Sequence, residues 1–362
     1  MRVGHVSVRL YPYVLEPKEA PAIWGGDALV KRYGKAGDPH QRLGESWECW
    51  DENRVANGAL TGKTLADLRG ELHEALTGAI DPARRFPVLT KIIDAREPLS
   101  VQVHPDDAYA QRVEGQPNGK TECWYILACE PGAELVLGWT RDVSRAEYER
   151  RVADGTLGDV LRRIAVHPHD AFYLPAGTLH AIGAGIQLFE TQQASDLTYR
   201  IFDWNRVGAD GKPRELHVQK AGDVLDFRAT FPGAVAPLAF REEGLERALL
   251  VADRNFLVER VAVTRDEAYV ATDGLPLTIT AMEAHLRVDG PDPDAPGGSA
   301  VLEPWQSVVT PASFERIALI PGGAPTRALV VHPQPNLRNI RERAVAAGAS
   351  AAAADAFFAQ FS

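Results

Sequence analysis

Cysteine is scarce in this sequence. The three present, Cys49, Cys123 and Cys129, are an odd number with no CxxC spacing, which fits a reduced, intracellular setting better than a disulfide framework. Basic charge is also in deficit: 39 Lys and Arg against 49 Asp and Glu leave a formal net charge of −10. That balance argues against a nucleic-acid partner. It also means that any anion site has to be a local cluster of Lys and Arg working against the overall field. Long apolar runs are missing as well. No stretch approaches the roughly 20 apolar residues that span a bilayer, and the opening Met1-Arg-Val-Gly-His-Val6 has no apolar signal core. A cytoplasmic protein with no membrane partner is the expectation.

What is present is an ordinary globular composition, 45% hydrophobic and 24% charged, over 362 residues, a length that suits two domains. The chain is organised around Pro98-Leu-Ser-Val-Gln-Val-His104. Ser100, Gln102 and His104 stand at i, i+2 and i+4, which share one face of a β-strand, while Leu99, Val101 and Val103 share the other. A strand patterned in this way lines something polar, and Pro105-Asp106-Asp107 ends it in a turn. Glu122 follows after a loop and opens a strand-like run to Leu127. His180 closes the apolar run from Phe172, which is broken by a Pro-x-Gly turn. A lone strand histidine is more often a hydrogen-bonded core or surface residue than a ligand. Taken together, one amide, two imidazoles and one carboxylate on three strand edges make a divalent-metal site. Two His and one Glu, with room for water or substrate, is the usual ligand set of catalytic zinc.

These same segments carry a resemblance. In order, "PLSVQVHPDD", "GKTECWYIL", "FYLPAGTLHAIG", "LFETQQASDLTYRIFDWNR" and "GKPRELHVQKAGDVLDF", with "IWGG" and "LGESWE" upstream, resemble the type I mannose-6-phosphate isomerases (phosphomannose isomerases), zinc enzymes of the cupin superfamily. The resemblance is close over residues 20–230 and holds only in general layout beyond. It implies one zinc ion per chain, held by Gln102, His104, Glu122 and His180. It implies Arg200 as a catalytic residue, Lys91 beside the active site, and Ser100 and Lys120 as substrate-binding residues; Glu190 is added to the catalytic candidates and Asp196 to the substrate-binding ones without the resemblance deciding their roles. Ser100 would give a hydroxyl and Lys120 a point charge to the phosphate; Arg200 would serve the enediolate or the phosphate. One departure matters. Enterobacterial-type members carry a His before the Lys of the "KxE" segment, and this chain has Gly119 there, so a base role for that His cannot operate. The short connection between Glu122 and His180 also lacks the large helical domain of the long eukaryotic type, and the chain looks like the short bacterial subgroup.

The remaining sequence sets the layout. Val6–Leu10 alternates as a short strand. Trp24 and Trp47, next to turn glycines, read as core more readily than as ligand contacts. Leu65, Leu68, Leu72 and Leu76 recur at helical spacing behind an N-cap at Thr64 and predict a surface helix over 63–77. Arg85–Ile93 predicts a strand in which Lys91 either snorkels or faces the polar cavity. Ser144-Arg-Ala-Glu147 opens a helix as a capping box, and Leu157–Ile164 reads as a second one. The two form a helical insertion, about 140–165, placed to cover the mouth of the site. Within Gln187–Trp204, Glu190 and Gln192 share a face, and Thr198, Arg200 and Phe202 share another. Asp203 reads as solvated, and His217 as structural. Further on, strand-like runs at Leu249–Val251, Phe256–Thr264, Leu277–Ala281, Ser307–Thr310 and Ala328–His332 predict an antiparallel barrel. It holds no His-x-His or Gln-x-His pair and is expected to be metal-free. Asn339–Phe361 predicts a C-terminal helix with Phe357, Phe358 and Phe361 as a docking patch. The expected fold is mainly β: two cupin-like (jelly-roll) barrels, the metal-binding one over 1–235 and the second, with the helical tail, over 236–362.

Interconverting mannose 6-phosphate and fructose 6-phosphate moves one proton between C2 and C1 through a cis-enediol. That needs a base, a positive charge where oxyanion charge develops, and an anion pocket at the far end of a six-carbon chain. The base stays open among Glu190, Lys91, Asp196 and a metal-bound water, with Glu190 preferred. The expected partner is a small-molecule sugar phosphate, for a monomer or homodimer. The second reading is a cupin that binds sugar or sugar phosphate without turnover, as a sensor. A cupin iron oxygenase is disfavoured by Gln102 at the first ligand position.

Overall fold

The computed structural model describes residues 10–38, 40–207, 211–230, 233–323 and 326–361; the expected strand at Val6–Leu10 falls almost wholly outside them. The chain is mainly β, in four antiparallel sheets. A six-stranded sheet runs in the order Lys18–Gly26, Leu43–Cys49, Val88–Ala95, Ile186–Gln193, Glu122–Cys129 and Ala171–Leu174. A five-stranded sheet runs Tyr199–Phe202, Val101–Val103, His180–Ile182, Glu134–Trp139 and Leu161–Ala165. The later sequence builds a seven-stranded and a four-stranded sheet. Tyr13–Val14 crosses over to join the seven-stranded one, pairing with Val309 and Val308.

Val88–Ala95 shows how the sequence makes this arrangement. It is buried at every position, so both faces must be covered. One face puts Val88 and Ile92 into a large core shared with Ala248, Val258, Leu329 and Val331 of the seven-stranded sheet. The other face carries Ile93 into an apolar cluster with Trp124, Leu135 and Leu137, against the five-stranded sheet. Lys91 lies on this second face, between Leu89 and Ile93.

The helices follow their caps. Thr64 is the expected N-cap and forms a capping box with Asp67, and Leu65, Leu68, Leu72 and Leu76 are all buried. The helix is interrupted at His73, which takes a left-handed φ of 46°, so that Leu65–Leu72 and Glu74–Thr77 are separate pieces. Ser144 caps Arg145–Ala153 by accepting from the Glu147 N–H. The second expected helix is wrong: Leu157–Val160 makes one 3₁₀ turn, and Leu161–Ala165 is a strand paired with Glu134–Trp139. The open edge of the five-stranded sheet claims these residues, and pairing outweighs their weak helical periodicity. The insertion does not cover the mouth of the site either. Tyr148 of its helix packs with Trp139, Ala221 and Leu225 in a core that also holds Val101 and Val103, the apolar face of the metal-bearing strand. The C-terminal segment is two helices, Leu337–Ala346 and Ala351–Phe358, broken where Gly348 takes a φ of 100°. Phe357 is buried in its own core cluster, and Phe361 packs edge-on against Tyr173. Among the described residues no helix is long and apolar enough to cross a membrane.

Candidate metal centre and active-site cavity

Sheet register brings the polar residues together. His180, Gln102 and Arg200 lie side by side on three neighbouring strands of the five-stranded sheet. On the six-stranded sheet, Trp47, Lys91, Glu190 and Trp124 form one cross-strand row, with Glu122 and Gln192 paired in the next. The Pro175–Gly177 turn is tied to the first ligand segment, because the Gly177 N–H donates to the His104 carbonyl at 2.9 Å.

His104, Glu122 and His180 are buried, and one ligand atom from each lies within 4.8 Å of the others. The His104 Nδ1–H donates to the Leu197 carbonyl at 2.8 Å and the His180 Nδ1–H to the Thr178 carbonyl at 2.9 Å. A carbonyl can only accept, so both protons sit on Nδ1 and both Nε2 atoms turn lone pairs inward. Those lone pairs meet the Glu122 carboxylate, with Nε2–O distances of 3.4 Å for His104 and 3.2 Å for His180. Both Glu122 oxygens are buried without a hydrogen bond. Lone pairs converging on a carboxylate repel unless cations stand among them; Lys120, 3.0 Å from Oε2, supplies one positive charge at the edge, and two imidazole nitrogens with a carboxylate are the donor set that takes a divalent metal. Gln102 borders it, its Nε2 at 3.2 Å from His180 Nε2; turning the amide over would present Oε1 to the same point. Burial, reinforced by Lys120, pushes His104 down to about 3, which keeps the ring neutral. Burial alone would raise the Glu122 carboxyl, but the charge of Lys120 beside it holds it well below its usual range.

Beside the cluster is a cavity of about 200 Å³. Lys91 lies on its wall, 3.0 Å from Glu190 and 3.5 Å from Glu45. Burial acts to lower this ammonium, yet the two carboxylates keep it above its ordinary value. Glu190 also accepts from Trp124 Nε1 at 3.0 Å. Lys120 is 3.0 Å from Glu122 Oε2 and 3.3 Å from His104 Nε2, so it belongs to the metal cluster's immediate surroundings. Arg200 donates to Ser100 Oγ at 3.3 Å and to the Glu215 carbonyl at 3.1 Å. Burial and the nearby Arg214 lower its guanidinium. Asp196 and Thr198 complete the rim. All ten residues singled out in the sequence are thus at or beside one centre.

The family model for the catalytic domain of type I phosphomannose isomerase matches residues 13–126. The mannose-6-phosphate isomerase ManA of Bacillus subtilis (strain 168) is 44% identical over 219 residues, which cover 59% of this chain and 68% of that protein. This chain belongs to the type I phosphomannose isomerase family. Among solved phosphomannose isomerases, the crystal structure of the B. subtilis mannose 6-phosphate isomerase matches with a TM-score of 0.80 and 34% identity, covering 89% of this chain and 99% of that one. A zinc-bound mannose 6-phosphate isomerase shares the fold, with a TM-score of 0.71 at 16% identity, covering 90% of this chain and all of the other.

Within this phosphomannose isomerase fold, the sequence reading missed several residues. Trp24 and Trp47, read as core, line the cavity, and Glu45 joins them, fixed by Trp47 Nε1 at 2.6 Å. Their "IWGG" and "LGESWE" segments were the available signal. Arg214 also reaches the cavity. Asp203 is buried rather than solvated, bonded by Arg206 at 2.6 Å and by both arms of Arg214 at 2.6 and 2.5 Å. Phe202 leaves the face of Arg200, because a β-bulge between them turns it toward Val101 and its apolar cluster. His217 is structural, its Nδ1 accepting from the Arg200 N–H at 3.2 Å. Gly119 has a steric reason: a Cβ there would run into the backbone of Pro105, Asp106 and Asp107, so a His at this position would displace that turn.

Proposed function

We propose that the chain is a zinc-dependent ketol-isomerase that interconverts mannose 6-phosphate and fructose 6-phosphate through a cis-enediol. The observation that carries this reading is the juxtaposition of an unsatisfied His–Glu–His donor set with a cavity holding Glu190, Lys91 and Arg200. Gln102, His104, Glu122 and His180 would hold one zinc ion, which when bound supplies Lewis-acid polarisation and orientation of the O1/O2 end of the sugar. Glu190 takes the proton from one carbon and returns it to the other. Trp124 and Lys91 fix the two ends of its carboxylate, so that one oxygen faces the substrate without rotating away. Lys91 is held as an ammonium by Glu190 and Glu45 and serves as a charge, not as a base. Lys120 stands next to Glu122 and His104, where a positive charge stabilises developing oxyanion charge at the reacting carbons. This moves it from the phosphate role that the resemblance implied. Ser100 remains on the substrate side with Arg200, and Asp196 at the rim contacts the sugar.

In this reading the six- and five-stranded sheets with residues 1–235 form the metal-binding cupin-like barrel. The seven- and four-stranded sheets, built from 236–362 with Tyr13–Val14 added from the first segment, form a second one without metal. The interior of the latter supports this: Val261, Ile279, Val308 and Val330 fill it with apolar side chains.

The deciding experiment follows fructose 6-phosphate formation from mannose 6-phosphate with zinc-loaded and chelator-stripped protein, and free mannose in parallel. Zinc-dependent turnover of the phosphorylated sugar is expected. Zinc binding without any turnover would instead establish a non-catalytic sugar-phosphate binder.

A further inference from the structure

We infer that Arg214, fixed in place by Asp203, joins Arg200 as the receptor for the phosphate of the substrate and so sets the preference for a phosphorylated sugar. The inference rests on the proposed isomerase reading and adds to it the location of the anionic end.

The argument begins with charge. Four cations line the cavity: Lys91, Lys120, Arg200 and Arg214. Two of them are spoken for. Lys91 lies between Glu190 and Glu45, and Lys120 is paired with Glu122. Among the described residues no carboxylate lies within ion-pair distance of Arg200, whose bonds go to a hydroxyl and a backbone carbonyl. Arg214 and Arg206 share the single carboxylate of Asp203. Among the described residues, Arg200, Arg206 and Arg214 gather around Asp203, with Glu215 also acting on Arg200, so this end of the cavity keeps a positive excess of the sign that a phosphate monoester needs.

Geometry makes the same point. Asp203 is 5% exposed, and its oxygens hold Arg214 by Nε and Nη2, the bidentate form that fixes the plane of a guanidinium. The backbone is bent to bring this about. Trp204 and Asn205, directly between Asp203 and Arg206, both take left-handed φ values, 54° and 53°. For a Trp this is a strained conformation. The Trp204 indole N–H holds the turn by donating to the Leu99 carbonyl at 2.7 Å, one residue before Ser100. Strain anchored to the polar strand itself marks a built device. Arg214 is a binding residue and Asp203 the positioning residue behind it.

The test uses the zinc-loaded full chain and two unreactive probes, mannitol 6-phosphate and inorganic phosphate, titrated by calorimetry. Arg214→Met should weaken both by at least about tenfold, as expected for loss of a charge-assisted bidentate partner, while zinc content stays the same. Arg214→Lys should fall between the two. Asp203→Asn, which keeps Arg214 but loosens its plane, should weaken both probes in the same direction; affinity like that of the unmodified chain would remove Asp203's positioning role. An Arg214→Met protein that binds mannitol 6-phosphate within twofold of the unmodified chain overturns the inference. If Arg214→Met loses its fold, Arg214→Lys decides, since unchanged affinity there equally excludes a bidentate role. Turnover of mannose 6-phosphate is followed separately. A chain that binds the probes through Arg214 without turnover sinks the isomerase reading alone.

Discussion

The first and second halves of the chain both bury charged side chains on the inner faces of their sheets, and they treat them in opposite ways. In the second half, Arg247 bonds both oxygens of Glu259 at 2.8 and 2.6 Å, and His332 Nε2 lies 2.8 Å from the same carboxylate. Arg247 bonds Glu242 as well, so both oxygens of Glu259 are engaged although, among the described residues, His332 Nδ1 has no partner, and the same face continues through Val261, Val263, Ala328 and Val330. In the first half, Lys91, Glu190 and Glu45 line open space beside Glu122 and the two histidines. Among the described residues the Glu122 oxygens have no hydrogen bond beyond the Lys120 ion pair, and Arg200 has no carboxylate within ion-pair distance. The lesson is that buried charge alone does not mark a site. What marks it is charge whose satisfaction has been left for something else to complete.

Three substitutions would break that comparison. The largest effect is expected for Glu122→Gln, which removes the anionic ligand. Isomerisation should fall below detection together with bound zinc, measured by elemental analysis. Retained zinc and activity would show that Glu122 is only a buried ion-pair partner. Next, Glu190→Gln should lower kcat by about 10²–10⁴-fold, the range for losing a general base, with zinc content unchanged; a loss confined to KM would make Glu190 a binding residue. The smallest effect on catalysis, and the largest on stability among the second-half residues, is expected for Glu259→Gln. Breaking a buried pair should cost about 3–5 kcal/mol of unfolding free energy, with kcat per folded molecule untouched.

Acid should sharpen the contrast. Burial acts to raise the Glu259 carboxyl, but Arg247 and His332 hold it far below the usual carboxylate range. A depressed folded-state value means that its contribution is complete above the unfolded value of about 4.3 and is lost as pH falls toward the folded one. Denaturant melts of the unmodified chain should therefore lose stability below about pH 4.3. Glu259→Gln should flatten that part of the profile. An unchanged acid limb would mean that the pair contributes nothing to folding.

How legible the site was depends on the range of the interactions. Ser100, Gln102 and His104 were readable because strand geometry repeats every second residue, and Thr64 and Ser144 because a cap is decided within four residues. Leu157–Ile164 was misread because its conformation is imposed by Glu134–Trp139, a neighbour it meets only in the folded sheet. Asp203 looked solvated because nothing local announces that Arg214 will return across a turn to meet it. Glu45 and Trp47 escaped for a similar reason: their place beside Lys91 is set by cross-strand register, not by their own pattern. Short-range chemistry was visible, and long-range satisfaction was not.

The crossing of Tyr13–Val14 into the seven-stranded sheet bears on how the molecule is made. Its partners Val308 and Val309 lie almost the whole chain away. During synthesis this strand emerges long before its partners and must wait, unpaired, until Val308 and Val309 have left the ribosome. Such distant pairings slow folding and leave strand edges exposed to neighbours. Lys18–Gly26, which carries Trp24 to the cavity wall, starts four residues after Val14. The segment that walls the cavity is thereby tied to a half from which, among the described residues, none of the cavity lining comes.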